Sequence, residues 1–294
     1  MSDDIQTIKD RIDIVDFISN YVKLHKAGAN HKGLCPFHNE KSPSFMVSSD
    51  KQIWYCFGAC GEGGDILKFL QKAESLEFVE ALNVLADKAG VLLSKISKKD
   101  TSHKSKILAI NELAKKYFEK ALFQTQSGKK ALEYLKDRGI NEKSVKNFNL
   151  GYAPNNWKGL TKFLTKTGFS KEDIIDAGLT VKSSNAEYDR FRARIIFPIF
   201  SVAGKVIGFT GRTLINEDAK YINSPQTVIY DKSNVIFGLH QAKGDIIKED
   251  SVVIVEGNID VVMSNQSGVL NVVAVSGTSL TEGHLKILRR YTKN

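Results

Sequence analysis

Cysteine is scarce in this chain: three in 294 residues, too few for a disulfide framework. No apolar run approaches the ~20 residues that span a bilayer, and the first residues, MSDDIQTIKD, are polar and acidic, unlike a signal peptide. Internal repeats and low-complexity tracts are also missing. These shortages argue against a disulfide scaffold, a helical membrane protein and a repeat array, and they point to a cytoplasmic globular protein. With 42% apolar and 26% charged residues, the chain has material for two ordinary domains.

Acidic excess is missing too, and unevenly so. Residues 1–100 carry 13 Lys and Arg against 14 Asp and Glu, whereas residues 101–294 carry 29 against 19, so the net charge of +9 resides in the second part. Such a surplus suits a polyanionic partner, most simply nucleic acid, whose bound counterions are released on contact. A merely soluble basic surface is the plainer alternative.

The Lys- and Ser-rich stretch KISKKDTSHKSK, residues 95–106, lacks apolar periodicity and reads as a linker. It closes a first domain over 1–100 and leaves a second over 107–294. In the first, IVDFISNYVKL and SLEFVEALNVLADKAG space apolar residues at three and four and predict helices, the second closed by Gly90. Between them SFMVSSD and QIWYCF predict short strands. In the second, ILAINELAKKYFEKALF and GKKALEYLKDRGI predict helices, and IIFPIF with KVIGFTGR predicts a hairpin. Pro198 cannot donate to a ladder, which puts its strand at an edge or a bulge. The runs VVIVEG and NVVAVSGT, a helix length apart, predict a βαβ unit on a buried parallel sheet.

The few cysteines are clustered. Cys35 and His38 form C-x2-H, Cys56 and Cys60 form C-x3-C, and 17 residues separate the pairs. Two such knuckles supply the four ligands of a tetrahedral Zn²⁺ site, and the glycines of CFGACGEGGD permit the tight turn the second requires. Buried thiols with a satisfied histidine are the bland alternative. His31 competes as fourth ligand, but its wider spacing and lack of a turn-forming proline place it behind His38.

Further on, Arg190, Arg192 and Arg194 alternate with Phe191, Ala193 and Ile195. An extended segment would project three guanidiniums from one face, ~6.6 Å apart, as a phosphate-binding row; a solvated face with local ion pairs is the alternative. Glu256 follows the strand VVIV directly, with Asp260 one helical turn on. The carboxyl end of a strand is where open α/β sheets bind ligands, and two carboxylates can recruit Mg²⁺. E-G-x-x-D alone is also what a turn glycine and a helix-start aspartate look like.

CPFHNEKSPSF followed by WYCFGACGEGGDILKFL resembles the CHC2-type zinc-binding domain of bacterial replicative, DnaG-type DNA primases. One departure is Ala59, which widens the second knuckle to x3. The resemblance continues in VKNFNLGYAP, YDRFRARIIFPIFSVAGKVIGFTGR, KYINSPQT and VVIVEGNIDVV, the last resembling the first acidic motif of the TOPRIM fold; Asn258 and Ile259 stand where those primases usually have Tyr and Met. It implies a small zinc ribbon with flanking helices, then a mixed α/β primase core with a partial TOPRIM unit from about residue 250, an α+β and α/β architecture. It also implies that Arg190, Arg192, Arg194, Arg212, Lys220, Tyr221, Asn223 and Lys232 contact template or nucleotide, with Lys220 or Arg212 neutralising a triphosphate and Tyr221 stacking on a base. Glu256, Asp260 and Lys220 are the implied catalytic residues, and the two carboxylates the implied holders of Mg²⁺ or Mn²⁺.

The family completes that acidic turn with a later D-x-D, and no D-x-D follows residue 260 here. The expectation is a fragment or incomplete product, with an apolar sheet edge exposed over residues 252–255 and 272–275 and an impaired metal site. The family's carboxy-terminal helicase-binding segment is likewise not in the sequence. The expected activity is synthesis of short RNA primers on single-stranded DNA from ribonucleoside triphosphates. The rivals are a non-catalytic zinc-ribbon module that binds single-stranded DNA and regulates a full-length primase, and another TOPRIM enzyme such as a topoisomerase, which would need a strand-cleaving tyrosine in a separate domain.

Overall fold

A computed structural model describes residues 2–38, 40–74, 76, 78–91, 103–183, 186–215, 219–275 and 279–294. It divides into two compact units. The first gathers Met1–Asp100, Lys243–Val252 and Leu285–Asn294; the second gathers Thr101–Ala242 and Val253–His284. The division is therefore not a single cut near residue 100: two short later segments count with the first unit. Among the described residues no helix is long and apolar enough to cross a membrane.

The first unit opens with helices α1 (Ser2–Arg11) and α2 (Ile14–Ser19). Asp13 caps α2 by accepting from Val15 N and Asp16 N, satisfying two of the donors a helix start leaves over. The run IVDFISNYVKL predicts a longer helix than α2. The Asn20 side chain donates to the carbonyls of Asp16 and Phe17 and so competes for the acceptors that the next turn would use.

A five-stranded antiparallel meander follows: β1 (His25–Ala27), β2 (Asn30–Gly33), β3 (Phe45–Ser48), β4 (Ile53–Cys56) and β5 (Gly63–Gly64). Alternation sends Phe45, Val47, Trp54 and Cys56 inward and leaves Ile53 and Tyr55 outside. Helix α3 (Ile66–Glu74) buries Ile66, Leu67, Phe69 and Leu70. The core is an aromatic cluster in which Phe37, Phe45, Trp54 and Phe69 lie with centroids 5.2–6.2 Å apart, within the range of favourable ring contacts. Helix α4 (Phe78–Ala89) ends at Gly90, φ +63°, as a left-handed cap requires.

The second unit starts with the 22-residue helix α5 (His103–Gln124). Residues 103–106, expected in the linker, thus form its first turn, where His103 Nε2 sits 2.9 Å from Asp176 Oδ2; residues 95–102 of that stretch lie outside the described residues. Adding a turn to an anchored helix costs little. Next come α6 (Gln126–Asp137), α7 (Glu142–Asn147), β6 (Gly151–Ala153), α8 (Gly159–Lys166), α9 (Lys171–Asp176), β7 (Thr180–Lys182) and β8 (Glu187–Asp189). β6 crosses α5 at Gly151, where any Cβ would lie 2.6 Å from Phe118 Cβ.

A four-stranded sheet in the order β11-β10-β9-β6 is built from β9 (Arg194–Phe200), β10 (Val206–Thr213) and β11 (Tyr221–Asn223). β9 and β10 form the expected hairpin, with a register shift between Val206 and Gly208. Pro198 is in an interior strand, yet β6 pairs only with Arg194–Ile196, so no ladder partner is lost beside the proline. Helix α10 (Leu239–Glu249) leads to β12 (Val253–Val255), α11 (Asn258–Gln266), β13 (Val272–Ala274) and α12 (Glu282–Leu288). β12 and β13 are parallel, the predicted βαβ unit. β13 is buried and bridged on to Phe237, whereas Val253 and Ile254 of β12 are 44% and 36% exposed.

Candidate functional site

Four side chains converge in the first unit. One ligand atom each from Cys35, His38, Cys56 and Cys60 falls within 4.8 Å of all the others. Cys35 Sγ is 3.6 Å from Cys60 Sγ, and Cys56 Sγ is 3.7 Å from His38 Nδ1. Phe37 N and Gly58 N donate to the sulfurs of Cys35 and Cys56, the polarity a thiolate requires. The extra residue in the second knuckle, Ala59, is absorbed by a turn in which Gly61 N donates to Gly58 O and Gly61 takes φ +55°. His31, the rival ligand, lies in β2 opposite Val47 and is not among the four.

The donor set fits zinc. Burial pushes the Cys35 thiol up, and the neighbouring sulfurs of Cys56 and Cys60 push it further, so three clustered sulfurs call for a cation to offset their charge. Gly58 makes room for the imidazole: a Cβ there would lie 2.8 Å from both Cε1 and Nε2 of His38 and 2.5 Å from Ser44 Oγ. Burial works against the charge of Glu40, but hydrogen bonds from Ser44 and Cys35 N, together with His38, outweigh it and hold the carboxyl below its ordinary range.

The arginines do not form the row their alternation predicts. Extended backbone is interrupted between Asp189 and Arg194, and Ala193 takes φ +49°, so the three side chains leave in different directions. Arg194 is 4% exposed and donates to the carbonyls of Gly211 and Ala219; it ties β9 to the connection after β10 and presents no surface charge. Arg190 is half-buried with Nε on Asn223 O. Arg192 sits over the rings of Trp157 and Tyr188, at 4.3 and 4.8 Å. Neither aromatic was singled out in the sequence; Trp157, 61% exposed, is the kind of surface side chain that signals binding.

Arg212 is buried between Tyr134 and Tyr221, donates to Tyr221 Oη at 2.9 Å, and leaves a buried Nε without a protein partner. Lys220 and Tyr221 are exposed, Asn223 accepts from Thr210 Oγ1, and Lys232 is exposed. Asp189, just before those arginines, is buried: it accepts from Leu160 N, Thr161 N and Thr161 Oγ1 and caps α8, whose own N-cap Lys158 makes no side-chain bond.

The acidic turn sits where the pattern puts it. Glu256 follows β12 and is exposed; Asp260 is exposed in the first turn of α11, and its Oδ2 accepts from Gly257 N at 3.1 Å. On the outer face of the zinc-binding sheet, Tyr55 and the 73%-exposed Phe57 touch at 4.7 Å between centroids, another aromatic pair absent from the sequence candidates.

Fold and site together define a zinc-ribbon protein coupled to a mixed α/β core that ends in a TOPRIM-type βαβ turn. Family models match along the chain: the CHC2 zinc finger over residues 1–102, the N-terminal domain of the DNA primase catalytic core over 117–243, and the Toprim domain over 250–294. DNA primase of Clostridium acetobutylicum is 45% identical over 98% of this chain and 48% of its own length; that of Staphylococcus epidermidis is 40% identical over 99% and 50%. The crystal structure of Aquifex aeolicus primase, zinc-binding and RNA polymerase domains, superposes with TM-score 0.64 at 36% identity, covering 99% of this chain and 70% of that one. A DnaG primase catalytic domain bound to single-stranded DNA gives TM-score 0.61 at 34% identity over 66% and 63%. The chain belongs to the DNA primase family. It spans about half the length of the curated relatives it matches.

Proposed function

We propose that this chain carries the template-handling part of a DNA primase and the start of its catalytic centre, and that the protein synthesises short RNA primers on single-stranded DNA from ribonucleoside triphosphates. The observation that carries the reading is the convergence of Cys35, His38, Cys56 and Cys60 within 4.8 Å, in a chain whose likeness to Aquifex primase extends from that module through the core. Zinc, held by those four residues, supplies folding energy to the module rather than chemistry. Tyr55 and Phe57 on the module and Trp157, Tyr188 and Arg192 on the core offer stacking faces to template bases.

Arg190, Lys220 and Lys232 supply charge for backbone or triphosphate, and Arg212, held at Tyr221 Oη, adds a guanidinium charge beside them. Tyr221 orients that guanidinium and shows an exposed edge for a base. Glu256 and Asp260 would hold Mg²⁺ or Mn²⁺, which when bound activates the attacking 3′ hydroxyl and stabilises the leaving pyrophosphate. Asp260 is fixed for this by Gly257 N.

Primer synthesis on single-stranded DNA with ribonucleotides and Mg²⁺ tests the reading. Product that disappears in Glu256→Gln supports it. Salt-sensitive DNA binding without product replaces it with the binding module that regulates a full-length primase.

A further inference from the structure

We propose that Glu40 is the positioning residue of the metal centre: its carboxylate accepts a hydrogen bond from Nε2–H of His38 and so presents Nδ1 to the ion. This rests on the zinc reading of the four-residue cluster. His38 Nδ1 is the nitrogen beside the sulfurs, 3.7 Å from Cys56 Sγ, while Nε2 lies 3.2 Å from Glu40 Oε2 on the opposite side of the ring. An ionised carboxylate only accepts, and a neutral imidazole has one N–H. The proton therefore belongs on Nε2, and the lone pair that ligates belongs on Nδ1.

Glu40 is itself held. Its Oε1 accepts from Cys35 N at 2.6 Å and from Ser44 N at 3.1 Å, and its Oε2 takes the Ser44 hydroxyl. Ser44 Oγ in turn lies 3.4 Å from Cys56 Sγ. One carboxylate thus ties the Cys35 knuckle, His38 and the chain entering β3 into a single hydrogen-bonded frame, and through Ser44 it reaches a third ligand. Metal-bound histidines are oriented in this way by an acceptor on their far nitrogen, and loss of such an acceptor costs about 10–100-fold in metal affinity. Gly58 supports the arrangement, because a Cβ there would press on the same Nε2 edge of the ring.

The test uses the full chain as wild type, Glu40→Ala and Glu40→Gln, each loaded with zinc. Competition against a chromogenic chelator is expected to give roughly 10–100-fold weaker zinc binding for Glu40→Ala, and a smaller loss for Glu40→Gln, whose amide oxygen still accepts but carries no charge. ¹⁵N-correlated NMR of His38 is expected to show Nδ1 bound to metal and Nε2 protonated in wild type, and a weakened Nε2–H hydrogen bond in both variants. A purely structural role for Glu40 would lower unfolding temperature and leave the His38 signature unmoved. If Glu40→Ala does not fold, Glu40→Gln and the absorption spectrum of the cobalt(II)-loaded protein carry the test. Wild-type affinity in both variants, or metal on Nε2, overturns the proposal with the zinc reading intact; a wild-type chain that takes up no zinc overturns the zinc reading itself.

Discussion

Removing zinc should unfold the first unit and leave the second folded, and each unit contains one tryptophan to report it. Trp54 is 1% exposed, with Nε1 on Asp65 O, at the centre of the aromatic cluster; Trp157 is 61% exposed in the other unit. A structural zinc contributes an apparent ~10–16 kcal/mol at neutral pH, whereas a domain of this size retains a net ~5–15 kcal/mol. Stripping the ion therefore removes about as much free energy as the unit has. The pieces involved are short: β4 ends in Cys56 itself, β5 has two residues, and Phe37 enters the cluster from the Cys35 knuckle. In a Trp157→Phe background, strong chelation is expected to move Trp54 emission to that of solvated indole and to abolish its near-ultraviolet dichroism, while the helical signal of the second unit still melts cooperatively at its own temperature. Cys60→Ser should do the same without chelator. If atomic absorption finds the protein free of metal and Trp54 emission has not moved, the claim that zinc holds this unit together is wrong.

Asp189→Ala should destabilise the second unit by about 3 kcal/mol in urea unfolding, since it strands two backbone donors, Leu160 N and Thr161 N, in a buried place; a loss under ~1 kcal/mol would contradict the capping role. Trp157→Ala is expected to weaken binding of a labelled single-stranded oligonucleotide roughly tenfold in fluorescence anisotropy, and unchanged binding would remove Trp157 from the template path. Burial of Lys243 lowers its pKa to about 8, the Glu74 charge raising it and Lys88 lowering it. The unfolded chain therefore holds this proton up to ~10.4 while the folded one releases it near 8, so stability gained from this residue rises with pH between those values. The difference in stability between wild type and Lys243→Met should shrink over that window, and a pH-independent difference would refute the assignment. Ile254→Lys, on the exposed face of β12, should delay aggregation seen by light scattering with melting temperature changed by no more than about 2 °C; unaltered aggregation would clear that strand.

Local chemistry settled a good part of this protein in the sequence. The paired spacing of Cys35, His38, Cys56 and Cys60 announces a metal knuckle because ligand geometry is set by turns a few residues long. The continuous apolar runs IIFPIF and VVIV announce strands because β-branched and aromatic side chains favour extended backbone, and Glu256 inherits its place from the strand it follows. Tertiary structure decided what those patterns could not. A single left-handed residue, Ala193, breaks the arginine alternation and sends Arg194 inside to hold Gly211 and Ala219, and Asp189 becomes a remote cap for a helix about thirty residues earlier. Trp157, Tyr188 and Arg192 become one cluster only when separate segments are brought side by side. Side-chain identity and spacing fix the chemistry available, but direction and burial depend on partners distant in the chain, and those are chosen when the whole core packs.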